Sequence, residues 1–340
     1  MTKETLRKAK NVKANSQSVV GGLMSLRKKF VNSFINILAH NRDGSFRTRN
    51  DRRRDLVLIA NTLYSMGYQL EHVRYVTTRH VLALVKLWKK EGISPATMKN
   101  RLSHLRWLLG KLNHESLIPS NDELGIEKRR YVTNEDKSRE LTAEDLEYVH
   151  DPRMRLILRA QELFGLRVEE SLKIQPHLAD QKDCLFIKGS WAKGGRDRII
   201  PILTPEQRAW LDESKALVDN KQSSLIPEGV SYKTYRKRAE KTWQRAGIDH
   251  CHGHRHLYAQ RRFEELAGYP CPAKGGPRKS EMTREQFEKD KAIRLVISQE
   301  LGHSRPAITN VYLGSASSKI EQTEQKVILL WRPRCFWHLE

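Results

Sequence analysis

The chain has 340 residues, of which 38% are hydrophobic and 30% charged; 62 Lys and Arg against 40 Asp and Glu leave a net charge of +22. That length makes two domains the natural expectation, no apolar run approaches the roughly 20 residues needed to span a bilayer, and MTKETLRKAKNVKANS at the start lacks the apolar core of a signal peptide. A cytoplasmic protein is expected, and the positive excess points to a polyanionic partner, either nucleic acid or an acidic membrane surface.

The charge is unevenly placed. Residues 1–130 hold 26 Lys and Arg against 10 Asp and Glu, which is +16 of the total. Residues 1–15 are polar and are expected to form a mobile basic tail. Residues 16–113 read as four amphipathic helices with basic residues on their outer faces. The first carries Leu23, Leu26, Phe30, Phe34 and Leu38 at steps of three and four, which is one helical face. The second carries Leu56, Ile59, Leu63 and Met66 and stops near Gly67; the third carries Val81, Leu84, Val85 and Trp88 and runs out at Gly92. Ser94-Pro95 opens the fourth as an N-cap followed by proline at the first helical position, with Met98, Leu102, Leu105, Leu109 and Leu112 as its stripe. These stripes are expected to be core, and the domain an electrostatic grip on its partner.

Residues 114–140 turn polar and charged, with Pro119, Asn121-Asp122 and Lys128-Arg129-Arg130, and read as a linker. A second domain is expected over 141–316. Thr142 and Asp145 stand at capping-box spacing, and Asp151-Pro152 begins a helix that ends at Gly165. CLFIKGSWAKGGRDRIIPI (184–202) reads as two strands around a loop containing Gly194-Gly195. Helices follow at about 231–246, 255–267 and 284–301, with a short one after Pro306. The expected fold class is therefore mainly α with a small β-hairpin.

The cysteines at 184, 251, 271 and 335 suggest no disulfide framework. A zinc site built from HCHGHRH (250–256) and Cys271 matches no familiar ligand spacing.

Four short stretches carry more specific information. LFGLRVEESLKI contains Arg167 and Glu170, AKGGRDRIIPI contains Lys193, HGHRH contains His252 and Arg255, and LGHSRPAITNVYLG contains His303 and, nine residues later, Tyr312. Singly each is commonplace. Together, and in this order, they resemble the motifs of the tyrosine recombinases, the phage-integrase family, over roughly residues 141–315. The resemblance implies a helical core-binding domain followed by a catalytic domain. It implies Tyr312 as nucleophile, Arg167, Arg255, His252 and His303 around the phosphate, Lys193 as general acid, and Glu170 as a buttress. It also implies no cofactor and no metal. The implied partners are double-stranded DNA with a specific recombination site, further protomers up to a tetramer on DNA, and accessory DNA-bending or directionality proteins, with no membrane partner.

Two departures stand out. Position 254 is histidine where the family usually has an apolar residue. Arg255 and His303 are 48 residues apart, roughly twice the family's usual gap. The excess falls in 267–292, which reads as an insertion contacting DNA or a neighbouring subunit.

The chemistry explains why these residue types belong together. A phenol has a pKa near 10, so about one tyrosine in a thousand is ionised at pH 7, a handicap of roughly 4 kcal/mol. A neighbouring base and a cationic phosphate pocket can offset it. Attack on a phosphodiester builds negative charge that paired guanidinium N–H groups can meet, and the departing 5′-oxygen needs a proton from a group such as Lys193. Lys188 is the alternative lysine, and each arginine could instead be a DNA-backbone contact. His250, His254 and His256 fit structural roles. The expected activity is a site-specific recombinase or integrase of a mobile element. The alternatives are a type IB topoisomerase-like relaxer and a non-catalytic DNA-binding architectural protein. The tail 317–340 contains a candidate helix near 317–330 that could dock on an adjacent protomer or pack in cis.

Overall fold

The structure is a computed structural model, and it describes residues 26–129, 131–249, 251–303 and 305–316. The basic tail 1–15, Leu23, His250, Cys335 and the tail 317–340 lie outside the described residues. The chain divides into two compact units between residues 130 and 131, within the segment 114–140 read from sequence as a linker.

The first unit is all helical among its described residues. Helix α1 is described over 26–40, followed by α2 (Phe46–Ser65), α3 (Thr78–Lys90) and α4 (Pro95–Gly110). The caps are those the side chains allow: Ser45 accepts from the Thr48 amide, and Ser94 from the Thr97 amide ahead of Pro95. The stripes meet inside the bundle, where Phe30, Phe34, Leu56, Ile59, Leu63, Leu84, Leu102 and Leu105 are fully buried. Part of the polar segment joins this core, because Ile118, Leu124 and Ile126 fold back against the helices. Isolated apolar residues in a charged stretch gave no periodicity to announce this.

The second unit packs helices around a two-stranded sheet. It comprises α5 (Ala143–Glu147), α6 (Pro152–Phe164), α7 (Val168–Lys173), α8 (Pro176–Ala179), β1 (Cys184–Ile187), β2 (Arg198–Pro201), α9 (Pro205–Leu217), α10 (Tyr232–Arg245), α11 (His252–Ala267), α12 (Arg284–Glu300) and α13 (Asn310–Leu313). Thr142 and Asp145 form the expected capping box, and Asp151 caps α6 ahead of Pro152. The strands are antiparallel, with Leu185 opposite Ile200 and Ile187 opposite Arg198. Alternation along β2 turns Arg198 and Ile200 inward. The fold is thus mainly α with a small antiparallel hairpin. No described helix is long and apolar enough to cross a membrane.

Helix α11 begins at His252, three residues before the start expected from sequence. Its first turn has a tertiary support that periodicity does not report. Gly253 lies so close to the segment before α5 that a Cβ there would stand 2.8 Å from Arg139 Cβ, and the Arg139 amide donates to Gly253 O at 3.2 Å. His254, the polar substitute at an apolar position, is fully buried and hydrogen-bonds Arg139 O through Nδ1 at 2.8 Å. Burial holds its pKa below the usual histidine value. A neutral ring can donate from Nδ1 to that carbonyl, so the histidine ties α11 to the preceding strand of chain.

Candidate active site

Starting α11 at residue 252 places His252, Arg255 and His256 at helical steps of three and four, on one face. Opposite that face lies the turn after α6. Gly165 has φ +60°, and a Cβ there would stand 2.6 Å from the Tyr258 ring and 2.9 Å from a Leu301 methyl, so only glycine fits. The chain then enters α7 with Arg167 at its N-cap. Glu170, fully buried, accepts the Arg167 amide at 2.8 Å and its guanidinium at 2.7 Å.

Glu170 has further cations. Arg198 reaches it with two N–H groups, at 3.1 and 2.7 Å, and Arg255 Nη1 stands 4.0 Å away. Burial alone would raise the carboxyl pKa, but Arg198, Arg255 and Arg167 together pull it down to about 2. Arg255 is 1% exposed and is tied to main-chain carbonyls on two sides, donating to Gly165 O and, at 2.5 Å, to Leu301 O. Burial first, then neighbouring Arg167, lowers its pKa to about 10, which leaves it a cation at neutral pH.

The segment after α12 completes the group. Gly302 has φ +65°, and a Cβ would meet Arg198 Cδ at 2.9 Å. His303 Nε2 lies 3.3 Å from Arg255 Nη2, and its Nδ1 lies 3.0 Å from Thr309 Oγ1. A guanidinium can only donate, so Nε2 is the acceptor and Nδ1–H points to Thr309. Tyr312, on α13, is 6% exposed. Its hydroxyl lies 3.3 Å from Arg255 Nε and 3.2 Å from His252 Nε2. Three imidazoles surround the phenol ring, with centroids 5.5 Å (His252), 4.7 Å (His256) and 5.3 Å (His303) away, the last nearly parallel at 19°.

Both histidines nearest the chemistry are held neutral. Burial, then Arg255, lowers His252 to about 4 and His303 to about 3. A neutral His252 can accept a proton from the Tyr312 hydroxyl, and Arg255 stands ready to stabilise the resulting oxygen.

Lys193 comes from the loop between β1 and β2, where Gly194 (φ +100°) and Gly195 (φ +67°) turn the chain. It is exposed and lines the same cavity of about 740 Å³ as Arg167, Arg198, His252, His303 and Tyr312. Arg167, Lys193, His252, His303 and Tyr312 line this cavity, with Arg255 and Glu170 buried against Arg167 and Tyr312, whereas Lys188 is not among its lining residues. Arg198, which follows Lys193 in the family pattern, has no site role in the sequence reading but is the strongest partner of Glu170, and Thr309, which fixes the His303 tautomer, is absent from that reading. The inward alternation of β2 was the available signal for Arg198. His256, read from sequence as structural, packs its ring on Tyr312 with centroids 4.7 Å apart. No group of three His, Cys, Asp or Glu able to hold a metal ion occurs among the described residues.

The family model described as "Phage integrase, N-terminal" matches residues 29–117. No curated protein matches the chain. Among solved structures, a lambda integrase dimer bound to a COC′ core site aligns with TM-score 0.53 at 17% identity, over 87% of this chain and 79% of that one. A lambda integrase tetramer bound to a Holliday junction aligns with TM-score 0.51 at 16% identity, over 81% of this chain and 76% of that one. At such identities the likeness is one of fold. Residues 29–117 thus match the N-terminal domain model of phage integrases, and the fold of the chain is similar to that of the lambda integrase structures.

Proposed function

We propose that this protein is a site-specific DNA recombinase, an integrase that cuts and rejoins DNA through a 3′-phosphotyrosyl intermediate. The observation that carries the reading is the placement of the Tyr312 hydroxyl between the Arg255 guanidinium and His252 Nε2, at 3.3 and 3.2 Å, on the wall of a cationic cavity. That the similar lambda integrase structures are bound to a core site and to a Holliday junction supports DNA as the substrate and further protomers as partners.

In the proposed cleavage, the Tyr312 oxygen attacks phosphorus while its proton passes to His252 Nε2. The O–P bond forms as the P–O5′ bond breaks, and Lys193 Nζ protonates the departing oxygen. Arg167 and Arg255 meet the charge on the non-bridging oxygens, the kind of preorganised contribution whose loss costs several kcal/mol per donor. His303 lends its ring to the same phosphate, and Glu170 holds the arginines in place. Rejoining reverses the steps with the 5′-hydroxyl of a new strand. The phosphoryl linkage is conserved, so the reading assigns no role to ATP, a metal or a cofactor.

A pool of nicked duplexes of randomised sequence tests this. After cleavage the short fragment diffuses away and a covalent protein–DNA adduct remains, from which the captured strand is sequenced. The reading expects wild-type protein to form the adduct on a recurring sequence and Tyr312→Phe to form none. Equal adduct from both proteins overturns it. Relaxation of supercoiled plasmid without sequence preference or strand exchange would favour the topoisomerase-like alternative.

A further inference from the structure

Helix α13 is only four residues long, far below the roughly 12–15 at which a helix is even marginally stable on its own. The position of Tyr312 must therefore be fixed by what touches the segment 310–316 from outside. Much of that support comes from the stretch read from sequence as an insertion and from helix α12, which begins inside it and runs on past it. Arg294 Nη1 donates to Gly314 O at 2.7 Å and to Asn310 Oδ1 at 2.9 Å, bridging the two ends of α13. Asp290 holds that guanidinium through Nε at 2.5 Å and Nη2 at 3.3 Å, with Asp290 only 2% exposed. The Lys279 amide donates to Ala316 O at 2.9 Å. A short 3-10 turn, Pro272–Lys274, lies directly on Gly314 (φ +75°), where a Cβ would stand 2.8 Å from Ala273 N and 3.2 Å from Pro272 C. That turn is itself held closed by the Gly276 amide on Cys271 O at 3.0 Å, and a Cβ at Gly276 would collide with Pro270 O.

We infer that residues 267–294 form a strap that sets the position of Tyr312, with Arg294 as its principal positioning residue. The inference rests on the proposed role of Tyr312 as nucleophile. The strap touches no reacting atom; it acts through the backbone at 314 and the side chain at 310, one helical turn around the phenol. Removing the bridge frees both ends of a helix that cannot hold itself.

The test is single-turnover cleavage of a nicked duplex recovered from the randomised pool, run in parallel on the same duplex with sulfur as the bridging 5′ atom. A sulfur leaving group departs without a proton, so it restores a defect in the general acid but not one in nucleophile placement. Arg294→Ala is expected to cleave on the order of 100-fold more slowly, the scale of a 1 Å misplacement at a reacting centre. Its DNA affinity should stay within about twofold, and the loss should persist on the sulfur duplex. Lys193→Ala should recover there. Asn310→Ala leaves the Asp290–Arg294 pair intact and should lose about tenfold, the equivalent of one hydrogen bond; it decides the matter if Arg294→Ala does not fold. Wild-type rates in both variants, rescue of either by sulfur, or a parallel loss of DNA affinity would overturn the strap. Cleavage by Tyr312→Phe would instead overturn the underlying reading, so the two failures are distinct.

Discussion

The two units hold charge in opposite ways. Residues 1–130 carry most of the net positive charge, yet the buried charged side chains described there, Arg52 and Asp55, each meet partners that are themselves partly open to solvent. Asp55 takes Arg54 at 3.2 Å and His104 at 3.0 Å, while Arg52 meets Asp43 at 3.2 Å and lies over the Trp107 ring, 3.6 Å from its centroid. In the second unit a single carboxylate, Glu170, faces three guanidiniums, those of Arg167, Arg198 and Arg255. Composition places the excess in the first unit, and burial places the unmet excess in the second. Charges in water are screened within about 10 Å, whereas buried ones are screened much less. The first unit is therefore suited to gripping a polyanion over a broad surface, and the second to demanding one anion at one point.

The sharpest way to break this contrast is to keep the charge and lose the fork. Arg255→Lys retains a cation but not the paired donors that meet Tyr312, Gly165 O and Leu301 O. Cleavage of the nicked duplex is expected to fall by about 100- to 1,000-fold, with DNA affinity almost unchanged in a filter-binding titration. A fall in affinity equal to the fall in rate would mean that the arginine only holds the backbone.

Removing the counter-charge comes next. Glu170→Gln leaves three guanidiniums without their carboxylate and should cost about 3–5 kcal/mol in urea unfolding. Inorganic phosphate, by entering the cavity, should restore part of that loss. An unchanged midpoint would show that the pocket does not depend on the pair.

The histidines give a pH signature of known sign. His252 and His303 are depressed to about 4 and about 3 in the folded chain, against an ordinary value near 6.5 when unfolded. Between those limits the unfolded chain binds more protons, so stability falls as pH drops from about 6.5 toward 4 and below. Glu170, depressed to about 2, adds its own loss only as pH falls from about 4.5 toward 2. His252→Gln and His303→Gln should each flatten the pH 4–6.5 part of an unfolding profile, and a profile as steep as that of wild type would contradict the neutral assignments. The smallest effect belongs to the first unit: Asp55→Asn, whose partner Arg54 is largely exposed, should cost about 1 kcal/mol and leave cleavage untouched.

What the sequence revealed follows the range of the interactions. Local ones were legible: the stripes of α1 to α4, the caps at Ser94, Thr142 and Asp151, and the four motif stretches. Even Gly165 and Gly302 stood inside those stretches, although the close approaches that require them became visible only in three dimensions. Long-range pairings were not. Arg198 finds Glu170 across 28 positions and Glu300 O across 102, and nothing in RDRIIPI specifies such partners. The stretch 267–292 shows the same limit. Its Pro, Gly and charge composition reads as a surface excursion, yet Cys271, Pro272 and Ala273 are buried and the chain beyond them braces α13. Burial of Ile118, Leu124 and Ile126 against the first unit was equally silent, because three separated apolar residues make no period.

The central claim is that the buried cationic pocket turns one phenol into a nucleophile for a DNA phosphate. Mass spectrometry of the nuclease-trimmed, proteolysed covalent adduct tests it most directly. The account predicts the residual nucleotide on Tyr312, joined through its 3′-phosphate. A nucleotide on any other residue, or joined through its 5′-phosphate, would contradict it.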